Sequence, residues 1–256
     1  MDLEVIIQNG LTDRLVAALR NDEFILFCQA IVPLMPTGGE RSFQEILIRF
    51  EEEETKLLPP GTFLPLLEAY GLMPFVDRWV VSRIAKWVRA GRGIRPDWKV
   101  PRNSINLSSQ TLRDPSFAEF TRKHIQAAEL PEETLCFEIL WEDAVEHAES
   151  LLSLAAQLKP RGCRFTIARF EGVHGSFELL KALGPDFVKI SPRVVRNIDQ
   201  VPSSAATAEA IHRKCRSLGI GTIAEHVESG QVLVQLRRMG VDYAQGFGIL
   251  PVQPLA

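Results

Sequence analysis

The chain has 256 residues, 46% of them apolar, and a formal net charge of −3. That apolar share can fill a sizeable core and excludes a disordered chain, while the slight acidity argues against a general nucleic-acid binder, which would be clearly basic. No apolar run approaches the roughly 18 to 20 residues that a bilayer span needs, so neither nucleic acid nor membrane is expected as a partner.

Met1–Gly10 opens acidic, without the basic n-region of a signal peptide, and reads as an N-terminal tail ahead of a single domain over residues 11–256. Short runs rich in Ile, Val and Phe then follow at Phe24–Val32, Phe43–Ile48, Ser104–Leu107, Leu135–Ile139, Arg164–Ala168, Phe187–Ile190, Gly221–Ala224 and Tyr243–Gly246, the composition of buried strands. Helical stretches alternate with them. Phe75–Val88 repeats its apolar positions at helical spacing and is followed by Gly91 and Gly93. Ser116-Phe-Ala-Glu119 has the pattern of a capping box opening a helix through Ala128. Phe177–Leu183 stops at Gly184-Pro185, and Ile211–Leu218 at Gly219, the expected glycine terminations. The acidic run Glu51–Glu54 reads as a solvated loop. Eight strands in regular alternation with helices predict a (β/α)8 barrel of TIM type. The doubly wound sheet is the alternative, but no Gly-rich dinucleotide loop follows any strand.

Cys28, Cys136, Cys163 and Cys215 are far apart, form no C-x-x-C pair and read as small hydrophobes in a reducing, cytoplasmic protein. The five histidines show no metal-ligand spacing. Polar residues instead gather at or just past strand ends: Glu45, Asn106, Glu138, Lys189, Glu225 and Gln245, with Arg49 close behind the first. The C-terminal rim of such a barrel is where loops from all strands converge on an active site. Carboxylate, amide and ammonium groups there suit a hard divalent metal and a phosphate.

The segments EILIRF (45–50), INLSSQTL (105–112), LCFEILWED (135–143), FVKIS (187–191), TIAEHVE (222–228) and YAQGFGI (243–249) resemble, in order, the motifs of EAL domains. Residues 27–31 resemble an early strand of that family and 58–81 its first helical region, so the resemblance covers residues 11–254. EAL domains are modified TIM barrels that hydrolyse cyclic di-GMP to linear pGpG with Mg²⁺ or Mn²⁺. The resemblance implies that Glu45, Asn106 and Glu138 match metal ligands and Glu225 a further acid of the metal site. Lys189 matches the lysine that organises the attacking water, and Gln245 the glutamine of the last strand. Arg49 and Gln29 match positions that touch ligand phosphate and guanine.

The family's D-D-F-G-x-G-Y-S-S-L aligns here with Ala168-Arg169-Phe170-Glu171-Gly172-Val173-His174-Gly175-Ser176-Phe177, so both aspartates are replaced. Trp141 stands where the family has a second glutamate, Ser191 where it has the aspartate of K-I-D, and His174 where it has a tyrosine. Two-metal hydrolysis needs bridging acids to offset the repulsion of ions about 3.5–4 Å apart, and Ala168 has no ligand atom. Arg169 facing the rim would place a fixed cation where a metal belongs, or would meet a ligand phosphate with its planar fork. Facing outward, it would do neither.

The reading is a degenerate EAL domain in cyclic di-GMP signalling, a receptor or regulatory module rather than a hydrolase. No resident cofactor is expected, with Mg²⁺ or Mn²⁺ only if the residual donors still bind one. The alternatives are a protein-interaction module, partnered by another protein or a second copy and using an aromatic surface of Trp141, Phe170 and Phe177, or a weak phosphodiesterase with a single metal on Glu45, Asn106 and Glu138.

Overall fold

The computed structural model describes residues 10–35, 38–39, 41–53, 56–58, 60–173 and 175–255. Of the expected tail only Gly10 lies within them, and it opens the first helix rather than closing a tail. His174 lies outside them, as do the side chains of the acidic run after residue 50.

In chain order the strands are β1 Phe24–Pro33, β2 Phe43–Glu53, β3 Lys56–Leu58, β4 Arg102–Asn106, β5 Leu135–Leu140, β6 Arg164–Phe170, β7 Phe187–Ile190, β8 Gly221–Ala224, β9 Tyr243–Ala244 and β10 Gln253–Pro254. The helices are α1 Gly10–Arg20, α2 Pro60–Ala69, α3 Met73–Ile94, α4 Ser109–Leu112, α5 Phe117–Ala127, α6 Trp141–Glu146, α7 Ala148–Leu158, α8 Ser176–Leu183, α9 Pro192–Val195, α10 Pro202–Ser217 and α11 Gly230–Met239. A 3₁₀ turn at Lys159–Arg161 follows α7.

The sheet runs β10-β1-β9-β8-β7-β6-β5-β4-β2-β3, and an extra pairing of β1 with β2 closes it into a ring. The eight strands expected from the sequence are the eight members of that ring, with β3 and β10 added at its outside. From β2 through β9 the ring neighbours are parallel, while β1 is antiparallel to both β2 and β9. The fold is therefore a modified TIM barrel. Only β1 departs from the all-parallel expectation, because the short β1–β2 connection makes a hairpin rather than a crossover.

Local chemistry moves some boundaries. Helix α3 runs through Gly91 and Gly93 instead of ending before them; the Trp98 ring packs on Gly91, where a Cβ would lie 2.5 Å from Trp98 Cζ3. Its buried face is Val76, Val80, Val81, Ile84 and Val88, at the spacing of an amphipathic helix. The capping box at Ser116 does not form: its hydroxyl donates to Asp114 Oδ1 at 2.7 Å and accepts from Arg78, so the first amides of α5 receive no side-chain cap. Helix α8 does end at Gly184, whose φ of 55° is left-handed. Helix α10 starts at Pro202, well before the stretch at Ile211, and Glu51–Glu53 extend β2 rather than forming a loop.

The main core lies between the ring and its helices. Inside the ring, alternate residues point inward. The lower end is plugged by Phe43, Phe187 and Tyr243, whose ring centroids are 5.3 to 6.0 Å apart, and Arg102 lies 5.0 Å above Phe43 and Phe187. Around this face Glu133 pairs with Arg102 and Arg164, and Asp186 with Arg164 and Lys159. The plug leaves the opposite end for polar groups.

Candidate functional site

On six of the eight ring strands an inward residue beyond the plug is polar. Glu45 on β2, Ser104 and Asn106 on β4, Glu138 on β5, Lys189 on β7, and Glu225 and Gln245 just past β8 and β9 are brought together by register, which pairs Glu45 with Ser104 and Asn106 with Glu138. Lys189 is fully buried at the centre. Its Nζ lies 2.7 Å from Glu45 Oε2, 2.7 Å from Glu138 Oε2 and 3.8 Å from Glu225 Oε1. Asn106 donates to Glu45 Oε1 at 2.9 Å, Gln245 to Glu45 Oε2 at 2.7 Å, and Ser104 Oγ to Glu138 Oε2 at 2.8 Å.

Three carboxylates around one ammonium divide their pKa values. Burial pushes Glu138 up, helped by Glu45 and Glu225 and opposed by Lys189, to about 7. Burial also raises Glu225 above the usual carboxylate range. Burial acts the same way on Glu45, but the Lys189 charge and the donors from Lys189, Asn106 and Gln245 outweigh it and hold Glu45 low. Desolvation of Lys189 is outweighed by its three acids, so the ammonium is held charged.

Gln29 and Gln245 form a pair. Gln245 Nε2 donates to Gln29 Oε1 at 3.0 Å, and Gln29 Nε2 donates to the Leu250 carbonyl at 3.2 Å. Both ends of the Gln29 amide therefore help to hold the rim. Arg49 shares the face of Glu45 and Leu47 on β2, but lies beyond the residues lining the rim cavity. Its guanidinium is 5.5 Å from the Phe27 ring centroid and donates to the Ile48 carbonyl at 2.9 Å.

Two adjoining cavities open over this cluster. One, of about 250 Å³, is lined by Gln29, Glu45, Asn106, Glu138, Glu225 and Gln245, with Ala168, Arg169, His226 and Phe247 at its sides. The other, of about 330 Å³, lies between β2, β4, α2 and α3 and is largely apolar, with Leu64, Met73, Val76 and Ile105 around a buried Asp77. Asp77 Oδ2 accepts from the Ser108 amide, the Ser108 hydroxyl and Thr111, and burial pushes its pKa up to about 6. Leu47, Asn106, Glu138, Leu140 and Arg169 line both cavities.

The end of β6 settles the direction of Arg169. Ala168 is buried and faces the ring, and the ladder to β7 is bulged between Ile167 and Phe170. Strict alternation would send Arg169 outward toward the helices. The bulge and a left-handed φ of 57° instead put it, solvent-exposed, on the rim between the two cavities. No hydrogen bond or ion pair holds its guanidinium among the described residues. Its charge reaches Glu225, where it opposes the effect of burial.

Trp141, Phe170 and Phe177 form one aromatic cluster whose two outer rings stay partly exposed. Phe170 is fully buried, with Trp141 edge-on at 5.0 Å and Phe177 at 5.3 Å, and the two outer rings pack on the core. Ser191 caps α9 and donates to Glu171. Residues that sequence reasoning passed over are Ser104, His226 and Phe247, the last 68% exposed at the cavity mouth. Ser104 stands two residues before Asn106 on one strand, and period-two alternation would have placed it on the same face.

The end of β6 supplies no acid to the rim. Lys189 Nζ lies between Glu45 and Glu138, Ala168 offers a methyl group, and Arg169 brings positive charge to the rim. Among the described residues no three His, Cys, Asp or Glu side chains are placed to hold a metal ion.

Residues 12–251 match the EAL domain family. The chain is 30% identical over 243 residues to the cyclic di-GMP phosphodiesterase PdeB of Shewanella oneidensis, covering 95% of this chain and 28% of PdeB. It is 27% identical over 248 residues to the cyclic di-GMP phosphodiesterase PdeF of Escherichia coli, covering 96% of this chain and 32% of PdeF. It thus spans about a third or less of the length of these curated relatives. Among solved structures, the FimX EAL domain from Pseudomonas aeruginosa bound to c-di-GMP superposes with a TM-score of 0.87 at 26% identity, over 96% of this chain and 97% of that one. The PaMucR phosphodiesterase in complex with c-di-GMP gives 0.84 at 27% identity, over 96% and 98%. With its motifs in order around a modified TIM barrel and the family match spanning nearly its whole length, the chain belongs to the EAL domain family.

Proposed function

We propose that this EAL domain binds cyclic di-GMP without hydrolysing it and acts as a receptor or regulatory module. The observation that carries the reading is the end of β6, where Ala168 supplies no metal ligand and Arg169 presents an unpaired guanidinium between two adjoining cavities. A cyclic dinucleotide is two flat ring systems joined by phosphates. A polar cavity and a largely apolar one with a cation between them match that shape and charge, and a guanidinium forks onto phosphate oxygens in two hydrogen bonds. The same arginine attracts phosphate without activating water. Relatives of both kinds support the ligand: the FimX EAL domain was solved bound to c-di-GMP, and PaMucR, a phosphodiesterase, in complex with it.

The test is calorimetric titration with cyclic di-GMP, once with Mg²⁺ and once with EDTA, followed by chromatography of the nucleotide. Equal affinity in the two buffers and no pGpG are expected. Arg169→Ala should weaken binding about tenfold, the cost of one charge-assisted contact of about 1.4 kcal/mol. Robust pGpG formation with Mg²⁺ would refute the reading. Absence of binding in both buffers would refute the receptor role as well.

A further inference from the structure

Helices in this barrel run antiparallel to the strands, so their C-termini lie on the plugged face, opposite the cavities. That face gathers cations. The last turns of α10 and α11 carry Lys214 with Arg216 and Arg237 with Arg238, and the turn after α7 carries Lys159 and Arg161. Helix dipoles favour cations there in any protein, so these alone signify little. The tip of α3 is different. Between residues 86 and 99 stand Lys86, Arg89, Arg92, Arg95 and Lys99 against the single acid Asp97. Arg92 donates to the Glu129 carbonyl. Lys86, Arg89, Arg95 and Lys99 are exposed, and among the described residues no carboxylate pairs with them.

Among these cations in the sequence Ile94, the last residue of α3, is 81% exposed, more than any other large apolar side chain described. Near it in the sequence, Trp87 and Trp98 pack edge to face with 4.8 Å between ring centroids, each partly exposed and partly on the core, and Arg95 lies 5.5 Å from the Trp98 centroid. On helical geometry Lys86, Trp87, Ala90 and Ile94 share one outward face of α3.

We propose that this tip is a peripheral docking surface for an anionic lipid bilayer. The match is in charge and shape. An exposed aliphatic side chain with indoles near it in the sequence suits the boundary of headgroups and acyl chains, and long basic side chains on the same tip reach lipid phosphates while their stems lie on apolar surface. A projecting tip also meets a flat surface more readily than it receives a partner helix. The absence of a spanning helix among the described residues does not bear on such contact. Docked this way, the barrel points both cavities away from the lipid, so nucleotide entry stays open. The proposal does not depend on what the cavities bind.

Flotation of the purified chain with vesicles tests it, using phosphatidylcholine alone and phosphatidylcholine with phosphatidylglycerol as about one third of the lipid. The chain should float with the anionic vesicles and not with the neutral ones, and should be released by high salt, which screens the attraction. Each cation near an anionic surface contributes about fivefold to partitioning, so replacing Arg89→Glu and Arg95→Glu together should reduce it at least about 25-fold. Ile94→Ser should reduce it about tenfold with the cations intact. All three side chains are exposed, so the circular dichroism spectrum should be unchanged. Flotation equal on both vesicles, or variants that float like the wild type, would overturn the proposal. So would retention on polyglutamate without flotation on anionic vesicles, which would assign the tip to an acidic protein partner.

Discussion

Lys189→Met removes the one ammonium among three carboxylates, Glu138 buried and Glu45 and Glu225 half-buried, while keeping the bulk of the side chain. Its nearest acids lie at 2.7, 2.7 and 3.8 Å. At an effective dielectric near 20 these separations correspond to about 4–6 kcal/mol each before desolvation. Burying the ammonium cancels much of that, and deleting one partner of a buried pair costs about 3–5 kcal/mol. The variant is therefore expected to lose about 4 kcal/mol near pH 8, a fall in Tm of about 8–16 °C for a domain of this size. The loss must depend on pH. Burial already raises Glu138 to about 7 with Lys189 present, and without the lysine the acids lose their main charge partner and rise further. A carboxylate with a raised folded-state pKa keeps its proton in the folded chain while the unfolded chain releases it above about 4.5. Stability then falls as pH rises through the interval between the two values and is retained below it. Urea unfolding followed by tryptophan fluorescence at pH 5 and pH 8 should show the smaller defect at pH 5. Equal defects at the two pH values, or a loss below about 1 kcal/mol at pH 8, would show that the ammonium does not hold this cluster together.

Other outcomes follow from the same geometry. Glu133 is held well below the usual carboxylate range, at about 2: its partial burial is outweighed by Arg102 and Arg164. Its contribution is present above about pH 4.5 and is lost as pH falls toward 2. Because the group is partly solvated, Glu133→Gln should cost only about 1 kcal/mol at pH 7 and flatten the acid limb of the stability curve, as denaturation from pH 7 to pH 3 would show. Gly246 packs against the Val227 backbone so closely that a Cβ would overlap it, so Gly246→Ala should cost about 1–3 kcal/mol in urea and disturb the neighbouring Gln245. An unchanged midpoint would mean that this loop yields easily. All four cysteines are buried, and burial pushes Cys136, Cys163 and Cys215 up to about 12. Native protein should resist iodoacetamide while denatured protein takes up four equivalents; rapid native labelling would contradict the packing.

The sequence alone determined the ring strands and most of the polar rim. Short runs of Ile, Val and Phe must be buried, and on parallel strands a residue's place relative to the strand end also fixes its height in the barrel. Glu45, Asn106, Glu138, Lys189, Glu225 and Gln245 could therefore be named before any contact was known. What those residues do to one another is set by packing across the barrel. The reversed direction of β1, the use of both ends of the Gln29 amide, the serine behind Glu138 and the inward packing of Trp141 all depend on partners distant in the chain. The clearest case is Arg169. Its position at the end of β6 was legible, but its direction follows from a bulge and a left-handed backbone that alternation does not foresee. Ser116 shows the same limit, since its capping pattern is local and is outcompeted by Asp114 and Arg78. Local pattern sets which side chains can reach a place, and long-range packing selects the partners they meet there.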